Sequence, residues 1–242
     1  MAASVDIVIP VLNEEVALPH CVRTLTEFIN EHPGRDWQIT VADNGSTDRT
    51  QEVAVELVEQ GFPIRTIRLD QRGRGRALKK AWLESDADLR FYMDVDLSTR
   101  LDALLPLVEA LESGEYQVAT GSRLMKGSEV VGRKLQREIT SRVYNLMHRV
   151  MFFSPFKDAQ CGFKGITREA AEVCIPLVVN NNWFFDTELL IIAARSGYKI
   201  KSHPVHWEDD PDTRVNVTAT VTEDVKGLLR LRFGGVPKAV RR

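Results

Sequence analysis

The chain has 242 residues, 43% hydrophobic and 27% charged, the make-up of an ordinary globular protein. A formal net charge of -2 gives no basis for a general polyanion binder, so nucleic acid is not an expected partner. Three cysteines, Cys21, Cys161 and Cys174, form no CxxC pair. They argue against a disulfide framework or a zinc centre and for buried thiols in a reducing compartment.

The N-terminus "MAASVDIVIPVLNEE" has no basic region leading into a signal-length apolar core. No apolar run reaches the roughly 18 to 20 residues that span a bilayer. "VDIVIPVL" reads as a strand and is followed by an amphipathic stretch from about Glu15 to Asn30. "WQITVAD" is the next strand, and "NGSTDRTQEVAVELVEQG" gives a turn, a capping Ser or Thr, a helix and a terminal Gly61. "IRTIRLD" and "LRFYMDVD" are further strands, with helices at "RALKKAWLES" and "RLDALLPLVEALESG". "YQVATGSR" supplies a fifth strand. Strands alternating with helices predict an α/β fold, a mostly parallel sheet with helices on both faces. With no repeats and no linker, the chain reads as a single domain.

Ligands bind such sheets beyond the carboxyl ends of the strands. Asp43, Asp94 and the Gly121–Arg123 stretch all fall at predicted strand ends and should meet on one edge. If the fourth strand runs through "DVD", alternation sets Asp94 and Asp96 on the same side. Like charges that close repel, so the pair calls for a cation. A hard divalent ion, Mg²⁺ or Mn²⁺, that also takes the oxygens of a substrate diphosphate fits two carboxylates without His or Cys. The plainer alternative is a pair of loop acids.

Asp43 in "ADNGSTD" either supports the Asn44–Gly45 turn or accepts hydrogen bonds from a nucleobase or ribose. "QRGRGRAL" is neither a Walker loop nor a dinucleotide fingerprint; it can meet a phosphate or remain a solvated loop. Arg123, Arg133, Arg137 and Arg142 are either surface charges or guanidinium forks that converge on a second, anionic substrate. Asp186 and Glu188, set in "WFFDTELL", are either structural acids or site groups. Leu135, Ile139, Val143, Leu146, Met147 and Val150 recur at helical spacing beside Arg142 and Arg149. That segment, with the basic stretch Thr222 to Arg242, either packs on the core or rests on an anionic membrane surface.

"IVIPVLNEE", "ADNGSTDRT", "RGRGRAL" and "MDVDLST", in that order, resemble family 2 glycosyltransferases of the GT-A fold. "GSR", "DAQCGFKGITREAA", "WFFDTELLIIA" and "VHWEDDPDTRVN" are similar to the polyprenyl-phosphate sugar synthases, above all the dolichyl-phosphate β-glucosyltransferase branch and its bacterial counterparts. The likeness implies a nucleotide-sugar-binding half, 1–123, and an acceptor half, 124–242. It places Pro10, Leu12, Asn13 and Glu14 in the nucleotide pocket, Asp43 on the base, and Arg74 near the nucleotide. Asp94 and Asp96 would hold the metal and donor diphosphate. Arg123 with one or more of Arg133, Arg137 and Arg142 would receive the lipid phosphate. Arg214 would close over the diphosphate, and Asp186 and Glu188 would lie near the sugar and acceptor.

The activity so implied is metal-dependent, inverting hexosyl transfer from a nucleotide diphosphate sugar, UDP-glucose or UDP-N-acetylgalactosamine, to polyprenyl phosphate. The chain would work on the cytoplasmic face of a membrane as a peripheral protein, with an integral membrane partner as one possible companion. Mannosyl synthases of this kind often carry a glutamine two residues past the second aspartate; here it is Ser98, which points away from GDP-mannose. The competing readings are that mannosyl transfer and a family 2 enzyme acting on a sugar or protein hydroxyl.

Overall fold

The apolar Val and Ile runs become strands because both faces of the sheet are covered, so every residue along them can be buried. The computed structural model describes residues 2–133, 135–208 and 217–240. In chain order the elements are β1 (Val5–Val11), α1 (Ala17–Glu31), β2 (Trp37–Asp43), α2 (Thr50–Glu59), β3 (Ile64–Arg68), α3 (Arg74–Glu84), β4 (Leu89–Met93), α4 (Leu104–Glu112) and β5 (Val118–Ser122). Then come β6 (Glu129–Val131), α5 (Leu135–Phe152), β7 (Phe163–Thr167), α6 (Arg168–Cys174), α7 (Phe185–Arg195), β8 (Ile200–Pro204), β9 (His206–Glu208) and α8 (Val217–Gly234).

Seven strands form one sheet in the order β3-β2-β1-β4-β7-β5-β8, all parallel except β7. A short parallel pair, β6 and β9, lies outside it. Alternate residues of β1 feed two cores: Ile7, Ile9 and Val11 pack with α1, α2 and α4, whereas Val8 packs with α3, α6 and α7. Fully burying each such side chain contributes roughly 1.5–3 kcal/mol. Cys21, Cys161 and Cys174 are buried and form no disulfide. These features make a single domain of the expected α/β class.

Two details of topology set the site. The chain winds from β1 outwards to β3 and then returns to place β4 on the other side of β1, which opens a crevice at their carboxyl ends. The antiparallel β7, unforeseen from the sequence, begins at that same edge, because Phe163 pairs with Met93. Cys161 and Gly162 are thereby brought beside the end of β4.

β4 ends at Met93, and Asp94 to Asp96 lie in a turn closed by the Leu97 N–H donating to the Asp94 carbonyl at 3.3 Å. Leu97 adopts φ 55°, outside any strand conformation. The two carboxylates are therefore related by a turn and not by strand alternation.

Candidate active site

The loop after β1 is stitched to the loop after β2. Asn13 N–H donates to Ser46 Oγ at 2.9 Å, Glu14 N–H to Thr50 Oγ1 at 2.7 Å, and Asn13 Oδ1 accepts from the Thr47 N–H at 2.8 Å. Asn13 sits at φ 57°, a region asparagine tolerates. Pro10, Leu12, Asn13 and Glu14 are half-buried along this rim. Asp43 Oδ1 accepts from the Ser46 N–H at 2.9 Å, so the aspartate does support the turn. Its Oδ2 is buried without a hydrogen bond, with Arg68 3.6 Å away. At the start of α2, Asp48 Oδ1 accepts from the Thr50 N–H at 3.0 Å; the N-cap position is Arg49, and neither Ser46 nor Thr47 caps the helix.

At the start of α3, the Gly73 N–H donates to Asn44 Oδ1 at 2.6 Å, and a Cβ there would stand 2.6 Å from the Asn181 carbonyl. This close approach seats Arg74 in the crevice. Its guanidinium donates to Asp94 Oδ1 at 2.8 Å and to Asp186 Oδ2 at 2.7 Å. It also lies over the rings of Tyr92, at 4.8 Å, and Trp183, at 5.0 Å.

Asp186 is buried. Its Oδ1 accepts from the Tyr92 hydroxyl and lies 3.2 Å from Lys164 Nζ. Burial alone would raise the Asp186 carboxyl, but Lys164 and Arg74 outweigh it and hold the group below the usual carboxylate range. Lys164 is itself buried and donates to the Tyr92 hydroxyl at 3.1 Å and to the Cys161 carbonyl.

Asp94 and Asp96 form the open end of this cluster. The Asp94 side chain is 40% exposed, and the exposed Asp96 accepts from the Ser98 N–H at 2.9 Å. The Asp94 carboxylate lies directly over Gly162, where a Cβ would fall 1.7 Å from Oδ2. No group of three or more His, Cys, Asp or Glu capable of holding a metal occurs among the described residues. Two carboxylates at a solvent-facing turn, one in a cradle that only glycine leaves open, fit a hard cation that completes its shell with diphosphate and water oxygens.

A second cluster lies beyond β5. Arg123 forms a two-pronged pair with buried Asp158, its Nε at 2.8 Å and Nη2 at 2.9 Å. Burial would favour a neutral Asp158, but Arg123 overrides it and holds the carboxyl far below its ordinary value. The Arg123 and Arg133 guanidiniums both lie over the Trp207 ring, at 5.3 and 5.7 Å. Arg133 pairs with Glu138 at 2.9 Å, as does Arg142 at 2.5 Å. Burial, then the like charge of Arg123, lowers the Arg133 pKa, which marks two cations held close together. Arg137 lies half-buried in the first turn of α5.

The sequence-derived residues thus divide. Asp94, Asp96, Arg74 and Asp186 gather at the end of β4, and Arg123 and Arg133 share Trp207. Glu188 makes its contacts elsewhere: it accepts from the Val179 and Asn180 N–H groups at 3.2 and 2.9 Å and pairs with Arg230 at 2.8 Å. Arg214 lies outside the described residues. Sequence reasoning missed Tyr92, Asp158, Gly162, Lys164 and Trp207. The available signal was polar residues in otherwise apolar company, above all the lysine of "CGFKGIT".

A doubly wound sheet with an acidic turn at its switch point and an antiparallel strand inserted beside it defines a GT-A-type glycosyltransferase fold. The glucosyl-3-phosphoglycerate synthase of Mycobacterium tuberculosis, solved with Mn²⁺, UDP and phosphoglyceric acid, matches at a TM-score of 0.70 and 18% identity, over 96% of this chain and 79% of that one. That likeness is one of fold.

The family model for glycosyl transferase family 2 matches residues 6–174, and the chain belongs to that family. It is 38% identical to glycosyltransferase AglD of Haloferax volcanii over 219 residues, 90% of this chain but only 35% of AglD. It is 27% identical to the dolichyl-phosphate beta-glucosyltransferase of Dictyostelium discoideum over 240 residues, 94% of this chain and 73% of that protein.

Proposed function

We propose that this chain moves a hexose from a nucleotide diphosphate sugar, UDP-glucose or UDP-N-acetylgalactosamine, to polyprenyl monophosphate, inverting the anomeric centre to a β-linked product. The observation that carries this reading is the pairing of two separate clusters on one sheet edge. Asp94 and Asp96 form an acidic mouth, and Arg123 and Arg133 form a cationic pair stacked on Trp207. The names of the dolichyl-phosphate beta-glucosyltransferase relatives support the lipid acceptor. The 1–123 segment would then serve the donor, and 124–242 the acceptor.

The half-buried rim Pro10 to Glu14 and the Asp43 Oδ2, which accepts no hydrogen bond, would receive the base and ribose. Asp94 and Asp96 would hold Mg²⁺ or Mn²⁺, which offsets the charge that develops on the departing nucleoside diphosphate. Arg74 would turn from Asp94 to the diphosphate, a reading supported by its exposed Asp94 contact and its buried Asp186 contact.

On the acceptor side, Asp158 occupies only Nε and one Nη2 hydrogen of Arg123, which leaves the other N–H groups for a phosphate. A phosphate monoester, with a second pKa of about 6, is already an anionic nucleophile near neutral pH. It needs positioning more than deprotonation. Asp186 accordingly acts by orienting Arg74, Lys164 and Tyr92, since both its oxygens are occupied by these groups. A sugar or protein hydroxyl acceptor would require a free base in its place.

Asp96→Ala tests the donor half. The variant should fold normally yet lose transfer and Mn²⁺–UDP binding together. Substantial metal-dependent transfer by the folded variant would refute the assignment.

A further inference from the structure

Helix α5 is built inside out. Leu135, Ile139, Val143, Leu146 and Val150 recur every three or four residues, so they share one face, and each is more than half exposed. Phe153, just past the helix, is 90% exposed. The opposite, buried face is largely polar: Ser141, Tyr144, Asn145 and His148 point into the protein. A surface helix of a globular domain has the reverse pattern, so the outer face is addressed to something other than water.

Apart from Ser141, whose Oγ is buried without a hydrogen bond, the polar underside is engaged. His148 is held neutral, its pKa lowered to about 4 by burial and the nearby Arg149 despite Asp158. Its two ring nitrogens bond Asn145 Oδ1 at 2.7 Å and Ser154 Oγ at 2.6 Å. Asn145 Oδ1 also accepts from the Ala159 N–H at 2.9 Å, next to the Asp158 that holds Arg123. The outward apolar face and the arginine pair are therefore parts of one hydrogen-bonded unit.

Charge identifies the occupant. α5 carries Arg137, Arg142 and Arg149 against a single acid, Glu138, and Arg142 and Arg149 are exposed beside the apolar stripe. The neighbouring α8 exposes Leu229 and Phe233 among Lys226, Arg230 and Arg232. An apolar stripe with a basic border suits an anionic bilayer surface, where the side chains enter the acyl boundary and the arginines meet headgroups. A second copy of the chain would instead bring these arginines against their own counterparts.

We propose that α5 lies in the plane of an anionic lipid bilayer through its Leu135–Val150 face, and that its underside carries the Asp158-bound Arg123 to the level at which a lipid phosphate emerges. The second clause rests on the acceptor proposed above; the first does not.

The test is flotation of the full chain with vesicles of phosphatidylcholine, alone and mixed with phosphatidylglycerol. The expected result is binding to the mixed vesicles that weakens with salt. Val143→Glu/Leu146→Glu should reduce it by at least about tenfold, because two charges replace buried apolar area. Circular dichroism and the melting temperature should not change, since both side chains are exposed. Transfer to a water-soluble short-chain prenyl phosphate should be untouched in the variant, whereas transfer to a long-chain acceptor in vesicles should fall. Absence of vesicle binding, equal binding by the variant, or a dimer that the variant dissolves would each overturn the proposal. Vesicle binding without any transfer would overturn the acceptor assignment and leave the surface standing.

Discussion

Arg74 donates to Asp94 at 2.8 Å, on the carboxylate that also faces the proposed cation. A dication placed there repels the guanidinium until a diphosphate arrives to satisfy both. Metal and nucleotide should therefore bind with positive coupling, and Arg74 should set its size. In Arg74→Gln, Mn²⁺ alone should bind more tightly while the gain conferred by UDP shrinks; transfer should fall about 10²-fold or more. Calorimetric titration of Mn²⁺ with and without UDP checks this, and unchanged Mn²⁺ affinity would remove Arg74 from the role.

Gly162 leaves the space that the Asp94 carboxylate fills, 1.7 Å from where a Cβ would stand. Gly162→Ala must push Asp94 aside at an overpacking cost of about 1–3 kcal/mol. Displacement of a positioning group by about 1 Å reduces turnover on the order of 10²-fold. Urea denaturation and initial rates should show a folded protein with this larger kinetic defect; a wild-type rate would mean that the Asp94 geometry does not matter.

The Arg123–Asp158 pair is buried on the acid side and nearly so on the arginine side. Removing one partner of such a pair costs roughly 3–5 kcal/mol, because the other is left uncompensated. Asp158→Ala should lose stability of that order. Arg123→Lys should keep most of the fold yet raise the KM for the acceptor phosphate, since an ammonium cannot bond both the carboxylate fork and a phosphate.

Asp224 of α8 accepts from Gln160 Nε2 at 2.7 Å through Oδ2, while its buried Oδ1 lacks a partner. Burial, then Glu223, pushes its pKa up to about 7 against the Gln160 bond. An unfolded aspartate releases its proton near about 3.9, so between there and about 7 the folded state binds more protons. Stability contributed by the protonated group is lost as pH rises through that window, by about 4 kcal/mol in all. Asp224→Asn should melt several degrees higher than wild type at pH 8, with the difference fading below pH 4.

The parallel half of the sheet was legible because buried strands need runs such as "VDIVIPVL", and the alternating helices show their own apolar periodicity, with Gly61 and Gly114 turning the chain after α2 and α4. β7 was not, because Lys164 and Gly165 break its apolar pattern: the lysine answers Asp186, and the glycine makes room for the Phe91 ring. The turn at Asp94–Asp96 escaped for a related reason, since Leu97 adopts a left-handed conformation that no propensity foretells. Periodicity found α5 but could not say which face looks inward, and the polar network of Asn145 and His148 reversed the usual answer. The partner of Arg123 lies 35 residues downstream, a pairing set by the fold and not by local pattern.

Transfer to a lipid phosphate is read most directly from where the sugar label partitions. Wild-type protein should be incubated with radiolabelled UDP-glucose or UDP-N-acetylgalactosamine, Mn²⁺ and polyprenyl phosphate, and then extracted with butanol. Label should appear in a butanol-soluble product that mild acid releases, and should be absent with Asp96→Ala. Label that stays in the aqueous phase on a sugar or protein hydroxyl would contradict transfer to a lipid phosphate.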